Sequence, residues 1–339
     1  MNQRSTIKDV AQRAGVSTAT VSLVIKGQKE RYTNETAERV FKAISSLKYR
    51  PNRIARNLQR RQTRTLGFVT HKDYELLTRS HWYSALLDGV LSIAVERDYD
   101  IKLAPIASDD TAPERKLEDG SVDGVILAAP MENGPLLKWA RAEALPCVVA
   151  GRVNSDDPMP CVGIDDFAAE LAAARHLIAQ GHKHIAFLGS EWIQFSARQR
   201  ELAYEKALQE AGLPAPMELR FHGKYQEQTG EEAARQILKL NTRPTAFLCA
   251  SDEIAVGALR VVQQAGVRVP QDLVIVGFDD EPKVRMTQPP LTSVRQPVSE
   301  IGRTAAAMLL DIVEGRPLAT RHVVLPTELI VRISTALPN

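Results

Sequence analysis

Between Ile7 and Ala14 the apolar residues Ile7, Val10, Ala11 and Ala14 recur at i, i+3, i+4 and i+7, which is one face of a helix. Thr6, with Asp9 three residues on, has the pattern of a capping box in which Asp replaces the usual Glu. Gly15 then supplies a residue that tolerates positive φ, and Ser17 can cap a second helix that starts at once. Val21, Val24 and Ile25 give that helix a core face and leave Thr18, Ala19, Ser22 and Leu23 outward. Two short helices joined by a Gly-containing turn leave few alternatives to a helix-turn-helix. A third helix is expected over residues 34–47, capped by Thr33, with Glu35 and Glu38 near its positive end and Ala37, Val40, Phe41, Ile44 and Leu47 on the core side. An all-α helix-turn-helix domain is therefore expected over residues 1–50. A small helical bundle without a nucleic-acid role fits the same spacing.

Charge separates these two readings. The formal net charge of the 339 residues is +2, yet residues 1–64 hold fifteen Lys and Arg against Asp9, Glu30, Glu35 and Glu38, a local charge of +11 that leaves −9 on the rest. A short cationic module on an acidic body is the electrostatic pattern of a nucleic-acid binder. Residues 51–64 extend it: Pro51 stands where a helix can start, and five Arg follow it. A helix of about two turns is marginal alone in water, so this hinge segment is expected to fold on DNA. A flexible basic linker is the alternative.

From Thr65 onward strand and helix patterns alternate. Strands are expected at 66–70, 101–105, 124–128, 147–150, 184–189, 246–250 and 274–278, and helices at 84–97, 168–180, 197–211, 228–240, 252–265 and 298–314. Such alternation implies an α/β domain of parallel sheets covered on both faces. Ligands in such folds sit beyond the carboxyl ends of strands. There the sequence offers Thr70 and His71, Gly151 and Arg152, Gly189 and Ser190, Ser251 and Asp252, and Asp279 and Asp280. No dinucleotide fingerprint, P-loop, HExxH or GxSxG occurs, so no catalytic residue, metal or cofactor is expected. His182 and His184 read as members of a solvated turn. Cys147, Cys161 and Cys249 read as buried thiols. No apolar run reaches the roughly 18 residues that span a bilayer, and the N-terminus has no apolar signal core, so the protein is expected in the cytoplasm, at the nucleoid.

The segments IKDVAQRAGVSTATVS and LKYRPNRIARNL, at their mutual separation, resemble the LacI family of bacterial regulators. The resemblance runs on through VGIDD, GHKHIAFLG, SARQRELAY, ASDEIAVGALR, VGFDDEP and PPLTSVRQP, nearly the whole chain. It implies a helix-turn-helix joined to a periplasmic-binding-protein-like effector domain over 65–339, with two parallel-sheet subdomains around a cleft. Those subdomains are about 65–165 plus 294–326 and 166–293 plus 327–339, with crossings near Asp165, Ser293 and Pro326. It implies base reading by Thr18, Ala19 and Leu23, with Ser17, Thr20 and Ser22 near phosphates and Thr6 among the DNA contacts. The hinge residues Asn52, Arg53, Ala55, Arg56 and Leu58 would meet the minor groove, where an apolar side chain such as Leu58 can wedge between base steps. Many members carry Arg at the position of Leu23, and Leu cannot make the bidentate contact to guanine.

For the effector the resemblance implies Arg200, Asp279 and Ser251 as polar contacts, Tyr225 as a stacking ring, and Trp82 and Tyr83 at the cleft mouth. His71, Gly151, Arg152 and Asp252 join them from the strand ends. A carboxylate and a guanidinium can grip neighbouring hydroxyls while aromatic faces cover a pyranose, so a carbohydrate effector is expected. A purine or another metabolite is the alternative. Arg200 as a surface helix charge, Asp279 as a turn residue, and Trp82 and Tyr83 as core aromatics remain open. The implied partners are a pseudo-palindromic double-stranded operator and a second copy of the chain, a homodimer without a heptad tail. A periplasmic-type sugar-binding protein and an α/β enzyme using His71, Asp279 and Arg200 are the rival classes.

Overall fold

The computed structural model describes residues 5–25, 27–49, 62–71, 80–106, 112, 114–132, 134–142, 145–151, 157–191 and 195–336, with the side chain of His71 excepted. The chain divides into two compact units, Met1–Thr63 and Arg64–Asn339.

In the first unit α1 (Ile7–Ala14), α2 (Thr18–Ile25) and α3 (Asn34–Ser46) enclose Val10, Val21, Val24 and Val40. Thr6 and Asp9 form the expected capping box, and Gly15 ends α1 at φ +64°, its N–H on the carbonyls of Ala11 and Gln12. Phe41 departs from expectation. It is 54% exposed, because Val40 and Ala43 point inward and Phe41, one residue on from Val40, is turned about 100° around the helix onto the rim.

The second unit holds two six-stranded sheets, ordered β11-β5-β4-β3-β1-β2 and β12-β10-β9-β8-β6-β7. The first comprises β1 (Thr65–His71), β2 (Asp100–Ile106), β3 (Gly124–Ala128), β4 (Cys147–Ala150), β5 (Cys161–Ile164) and β11 (His322–Leu325). The second comprises β6 (Ile185–Ser190), β7 (Arg220–Gly223), β8 (Ala246–Cys249), β9 (Val274–Asp279), β10 (Thr292–Arg295) and β12 (Glu328–Ile330). The ladders are parallel except β10 with β12, which is antiparallel. Strands such as β3, β4 and β8 are apolar and buried at every residue, as central strands covered on both faces must be.

Helices α4 (His81–Glu96) and α11 (Val298–Val313) cover one face of the first sheet, and α5 (Glu114–Leu117) and α6 (Pro135–Ala142) the other. On the second sheet α7 (Asp166–Ala179) and α8 (Phe195–Glu210) cover one face, and α9 (Glu227–Ile237) and α10 (Asp252–Gln264) the other. Gly89 and Gly302 let α4 and α11 touch backbone to backbone; a Cβ on Gly89 would lie 1.9 Å from the Ser299 carbonyl oxygen.

The chain passes between the sheets at Asp165, at Gln296–Pro297 and at Pro326–Thr327. The second crossing lies later than the expected Ser293. Thr292 and Ser293 are fully buried and paired with β9, Thr292 opposite Val276 and Arg295 opposite Asp279, while Ser293 Oγ donates to Asp252 Oδ1 at 2.7 Å, so β10 continues to Arg295. Cys147, Cys161 and Cys249 are buried free thiols.

Candidate functional site

Two surfaces gather the residues expected to carry function. On the first unit, Ser17 starts α2: its Oγ accepts from the Thr20 amide at 3.1 Å and lies 2.9 Å from Thr20 Oγ1, while its carbonyl accepts from Val21 N. This leaves Ser17, Thr18 and Ala19 exposed at the positive end of α2, with Thr20, Ser22 and Leu23 half-buried behind them. Thr6 is exposed too, but its hydroxyl is engaged with Asp9, which accepts from both the Thr6 amide (2.7 Å) and hydroxyl (2.9 Å). Those Thr6 bonds, the backbone one foremost, hold the Asp9 carboxyl below its ordinary range. Among the described residues Lys8, Arg13, Lys29, Arg31, Arg39, Lys42 and Lys48 make no ion pair, so their charge is available to phosphates. Asn52, Arg53, Ala55, Arg56 and Leu58 lie outside the described residues.

On the second unit a cavity of about 420 Å³ opens where the carboxyl ends of strands from both sheets meet the amino ends of helices. Ala129 follows β3, Gly151 follows β4, Ser251 follows β8, and Asp279 ends β9. First turns supply Trp82 and Tyr83 (α4), Ser196 (α8), Glu227 and Gln228 (α9) and Glu253 (α10). Such first turns bring positive dipole ends to the cavity, with Ser80 and Ser251 capping the Tyr83 and Ile254 amides. Gly151, at φ +87°, gives the Trp82 ring its space: a Cβ there would sit 2.6 Å from the indole. The Trp82 and Tyr83 rings meet edge to face at 5.0 Å.

Arg200 lies at the floor, buried and fixed. Nε and Nη2 donate to Asp166 Oδ1 at 3.0 and 2.8 Å, Nη1 donates to the Ala250 carbonyl at 2.5 Å, and the guanidinium lies 3.6 Å from the Phe278 ring centroid. Burial opposes its charge, but Asp166 and the acids around it hold the guanidinium protonated. Of its five N–H donors three are committed, which leaves two of them uncommitted at the cavity floor. Asp279 Oδ1 accepts from Gln296 Nε2 at 2.6 Å, and burial pushes its carboxyl upward against the pull of Arg200. Burial likewise raises the Tyr225 hydroxyl to about 12.

Of the ten residues expected at the effector site, Trp82, Tyr83, Gly151, Arg200, Tyr225, Ser251 and Asp279 line this one cavity. Asp252 does not. It is buried beneath, Oδ1 accepting from Ser293 Oγ and Oδ2 from the Glu281 amide at 2.7 Å, so its carboxylate braces the loop after β9 instead of facing a ligand. The Ser251 hydroxyl caps α10, accepting from Ile254 N at 3.3 Å. Arg152 and the His71 side chain lie outside the described residues. Sequence reasoning missed Glu227, Glu253, Glu281, Lys283 and Gln296 on the cavity wall. The first two were legible as first-turn acids, and Glu281 and Lys283 stand directly after the GFDD strand end. Gln296 has no local signature, because only the crossing brings it there.

Among the described residues no group of three or more His, Cys, Asp or Glu could hold a metal ion, and no helix is long and apolar enough to cross a membrane.

Residues 6–52 match the family described as bacterial regulatory proteins, lacI family, and residues 174–335 match the periplasmic binding protein-like domain. Over 335 residues the chain is 32% identical to the HTH-type transcriptional regulator RegA of Clostridium saccharobutylicum, covering 98% of this chain and 99% of that protein. It resembles the solved complex of the transcriptional regulator CelR with cellobiose at a TM-score of 0.75, with 32% identity over 98% of this chain and 100% of the other. The lac repressor dimer bound to operator and the anti-inducer ONPF matches at a TM-score of 0.87, with 27% identity over 99% and 100%. With likeness running through both units, the chain belongs to the LacI family of bacterial regulatory proteins and is a DNA-binding transcriptional regulator.

Proposed function

We propose that the chain is a repressor that binds a pseudo-palindromic operator as a homodimer in the cytoplasm, at the nucleoid, and whose operator affinity changes when a small carbohydrate fills the cavity. Thr18, Ala19 and Leu23 read bases in the major groove, while Thr6, Ser17, Thr20 and Ser22 contact the backbone. The hinge over 51–64 adds Asn52, Arg53, Ala55, Arg56 and Leu58 in the minor groove. In the cavity Arg200, Asp279 and Ser251 take polar groups of the effector, Trp82, Tyr83 and Tyr225 its apolar faces, and Gly151 clears room for it. His71 and Arg152 belong to the same site on their place at the end of β1 and after β4.

The observation that carries this reading is the cavity itself, where strand ends and the helices beside them bring a guanidinium, a carboxyl and three aromatic rings around one space of about 420 Å³, room for a mono- or disaccharide. The cellobiose held by CelR supports the carbohydrate class. Closing the cavity would shift one sheet against the other about the three crossings, and so change how two copies present their hinges. Couplings of this kind are about 1–3 kcal/mol, roughly 5- to 150-fold in affinity, and operator must change effector affinity by the same factor.

A thermal-shift screen of sugars and purines on the full chain, followed by fluorescence anisotropy on operator DNA selected from a random pool, tests the reading. A sugar is expected to raise the melting temperature and to change operator affinity. A response to purines alone overturns the carbohydrate class, and a bound sugar that leaves operator affinity unchanged overturns the coupling.

A further inference from the structure

The floor of the cavity carries more acid than base. Arg200 is committed to Asp166, and Lys283 lies within ion-pair distance of three carboxylates, those of Glu253, Glu281 (3.4 Å) and Glu227 (3.8 Å). Asp279 makes no ion pair and has the Gln296 amide as its hydrogen-bond donor. Deeper in, Glu170 is fully buried and neither carboxyl oxygen has a hydrogen-bond partner. Asp166, Glu170 and Asp279 therefore share a single buried guanidinium.

Burial pushes the Glu170 carboxyl up to about 8 and raises Asp279 as well, in both cases against Arg200. One resident cation is too few to keep these groups ionised away from water. Lys224 also lines the cavity, but its side chain is exposed, where water and salt screen its charge. Beside neutral groups such as Ser196, Gln228 and Ser251, the wall carries three aromatic rings, those of Trp82, Tyr83 and Tyr225, of which Tyr225 also faces the Arg200 guanidinium at 5.9 Å. Aromatic faces attract cations, and most strongly where water is excluded. A neutral sugar would satisfy the hydrogen bonds and leave these carboxyls protonated, and an acidic one would oppose their ionisation further, whereas a cation lets one of them ionise.

We propose that the effector carries an amino group, positively charged, which docks on Asp279 within the aromatic wall formed by Trp82, Tyr83 and Tyr225. The proposal rests on the cavity being the effector site and narrows the carbohydrate class to amino sugars. The ammonium replaces the proton held by Asp279, so binding of the amine releases a proton to buffer.

The test is calorimetric titration and thermal shift of the full chain with glucosamine, galactosamine and mannosamine, each against its parent hexose and its N-acetyl derivative, in two buffers of different ionisation enthalpy. At least one amine is expected to bind about tenfold tighter than both of its neutral counterparts, the margin of a charge-assisted over a neutral hydrogen bond, with proton release. Asp279→Asn is expected to abolish that preference. N-acetylation is the control on the ligand side and holds whether or not the variant folds. Equal or tighter binding of the neutral sugars overturns the proposal while leaving the carbohydrate reading intact. A preference that survives in a folded Asp279→Asn overturns it too. Absence of binding by all nine sugars overturns it together with the carbohydrate reading for hexose-sized ligands.

Discussion

Gln296 donates a 2.6 Å hydrogen bond from Nε2 to Asp279 Oδ1 and thereby ties the cavity carboxyl to the segment by which the chain leaves the second sheet for the first. Asp279 adopts φ +118° and Asp280 φ +53°, conformations that non-glycine residues rarely hold without surrounding support. That support is visible: the Asp280 amide donates to Ser293 Oγ at 3.0 Å, and the Glu281 amide to Asp252 Oδ2. Replacing Gln296 by Leu removes the donor and leaves a half-buried carboxyl on the cavity wall unpaired. We expect a loss of about 1–3 kcal/mol in urea unfolding at neutral pH. In a double-mutant cycle with Asp279→Asn the two losses should not add, and strict additivity would show that the bond contributes nothing.

Glu170 makes stability depend on pH in the sense opposite to an ordinary surface acid. Its carboxyl titrates near 4.5 when unfolded and is pushed up to about 8 by burial, so between those values the folded protein holds the extra proton. Stability is greatest below the unfolded value and is lost as pH rises toward about 8, by an amount on the order of a few kcal/mol. Glu170→Gln mimics the protonated acid at every pH. It should leave the melting temperature nearly unchanged at about pH 4.5 and raise it by several degrees at about pH 8. A gain of the same size at both pH values would point to packing instead of titration.

How much of this was legible in the sequence depended on which physical signal each part carries. The caps at Thr6, Gly15 and Ser17 are local chemistry, and all three form as read. Central strands such as β3 and β4 announce themselves as unbroken apolar runs because both faces are buried. Edge strands do not: β7 (RFHG) and β12 (ELI) are half-exposed and short, and their pairing comes from the neighbouring ladder. Phe41 was misplaced because a spacing of i+3 and i+4 leaves about a third of a turn undecided. At the cavity, Arg200 and Asp279 came from motif resemblance and fall in one place. Asp252, adjacent to Ser251, points beneath because consecutive residues at a helix start diverge by about 100°.

Asp280 gathers Arg285, Arg295 and Arg332 around one fully buried carboxylate, at 3.0, 2.8 and 2.5 Å. Although burial raises it, hydrogen bonds from Arg295 and Arg332 and the surrounding positive charge hold its carboxyl below the ordinary range. The stabilisation is therefore present above the unfolded carboxylate pKa and is lost as pH falls through the lower folded value. Arg285 and Arg295 are about half exposed, so their share is screened, and Arg332 carries the larger part. Asp280→Asn should cost about 3 kcal/mol at neutral pH in denaturant unfolding, with a deficit that narrows as pH is lowered from about 5 to 3. A deficit independent of pH would show that shape, not charge, holds this corner.

Leu23 sits on α2 behind the exposed Thr18 and Ala19, five residues along the same helix from Thr18. An isobutyl side chain there can pack on a thymine methyl but offers no donor to guanine O6 or N7, whereas Arg could make both bonds. Leu23→Arg should therefore change which sequence is bound. In selection from random duplex DNA, the wild-type site should lack a guanine requirement at one position of each half-site, and the variant should acquire it, worth about 1–3 kcal/mol against the other bases. Binding to non-specific DNA should rise only by the one added charge, visible as an increase of about one in the slope of log affinity against log salt. The same consensus from both proteins would mean that Leu23 faces the core of the unit and not the groove, and that base reading rests on Thr18 and Ala19 alone.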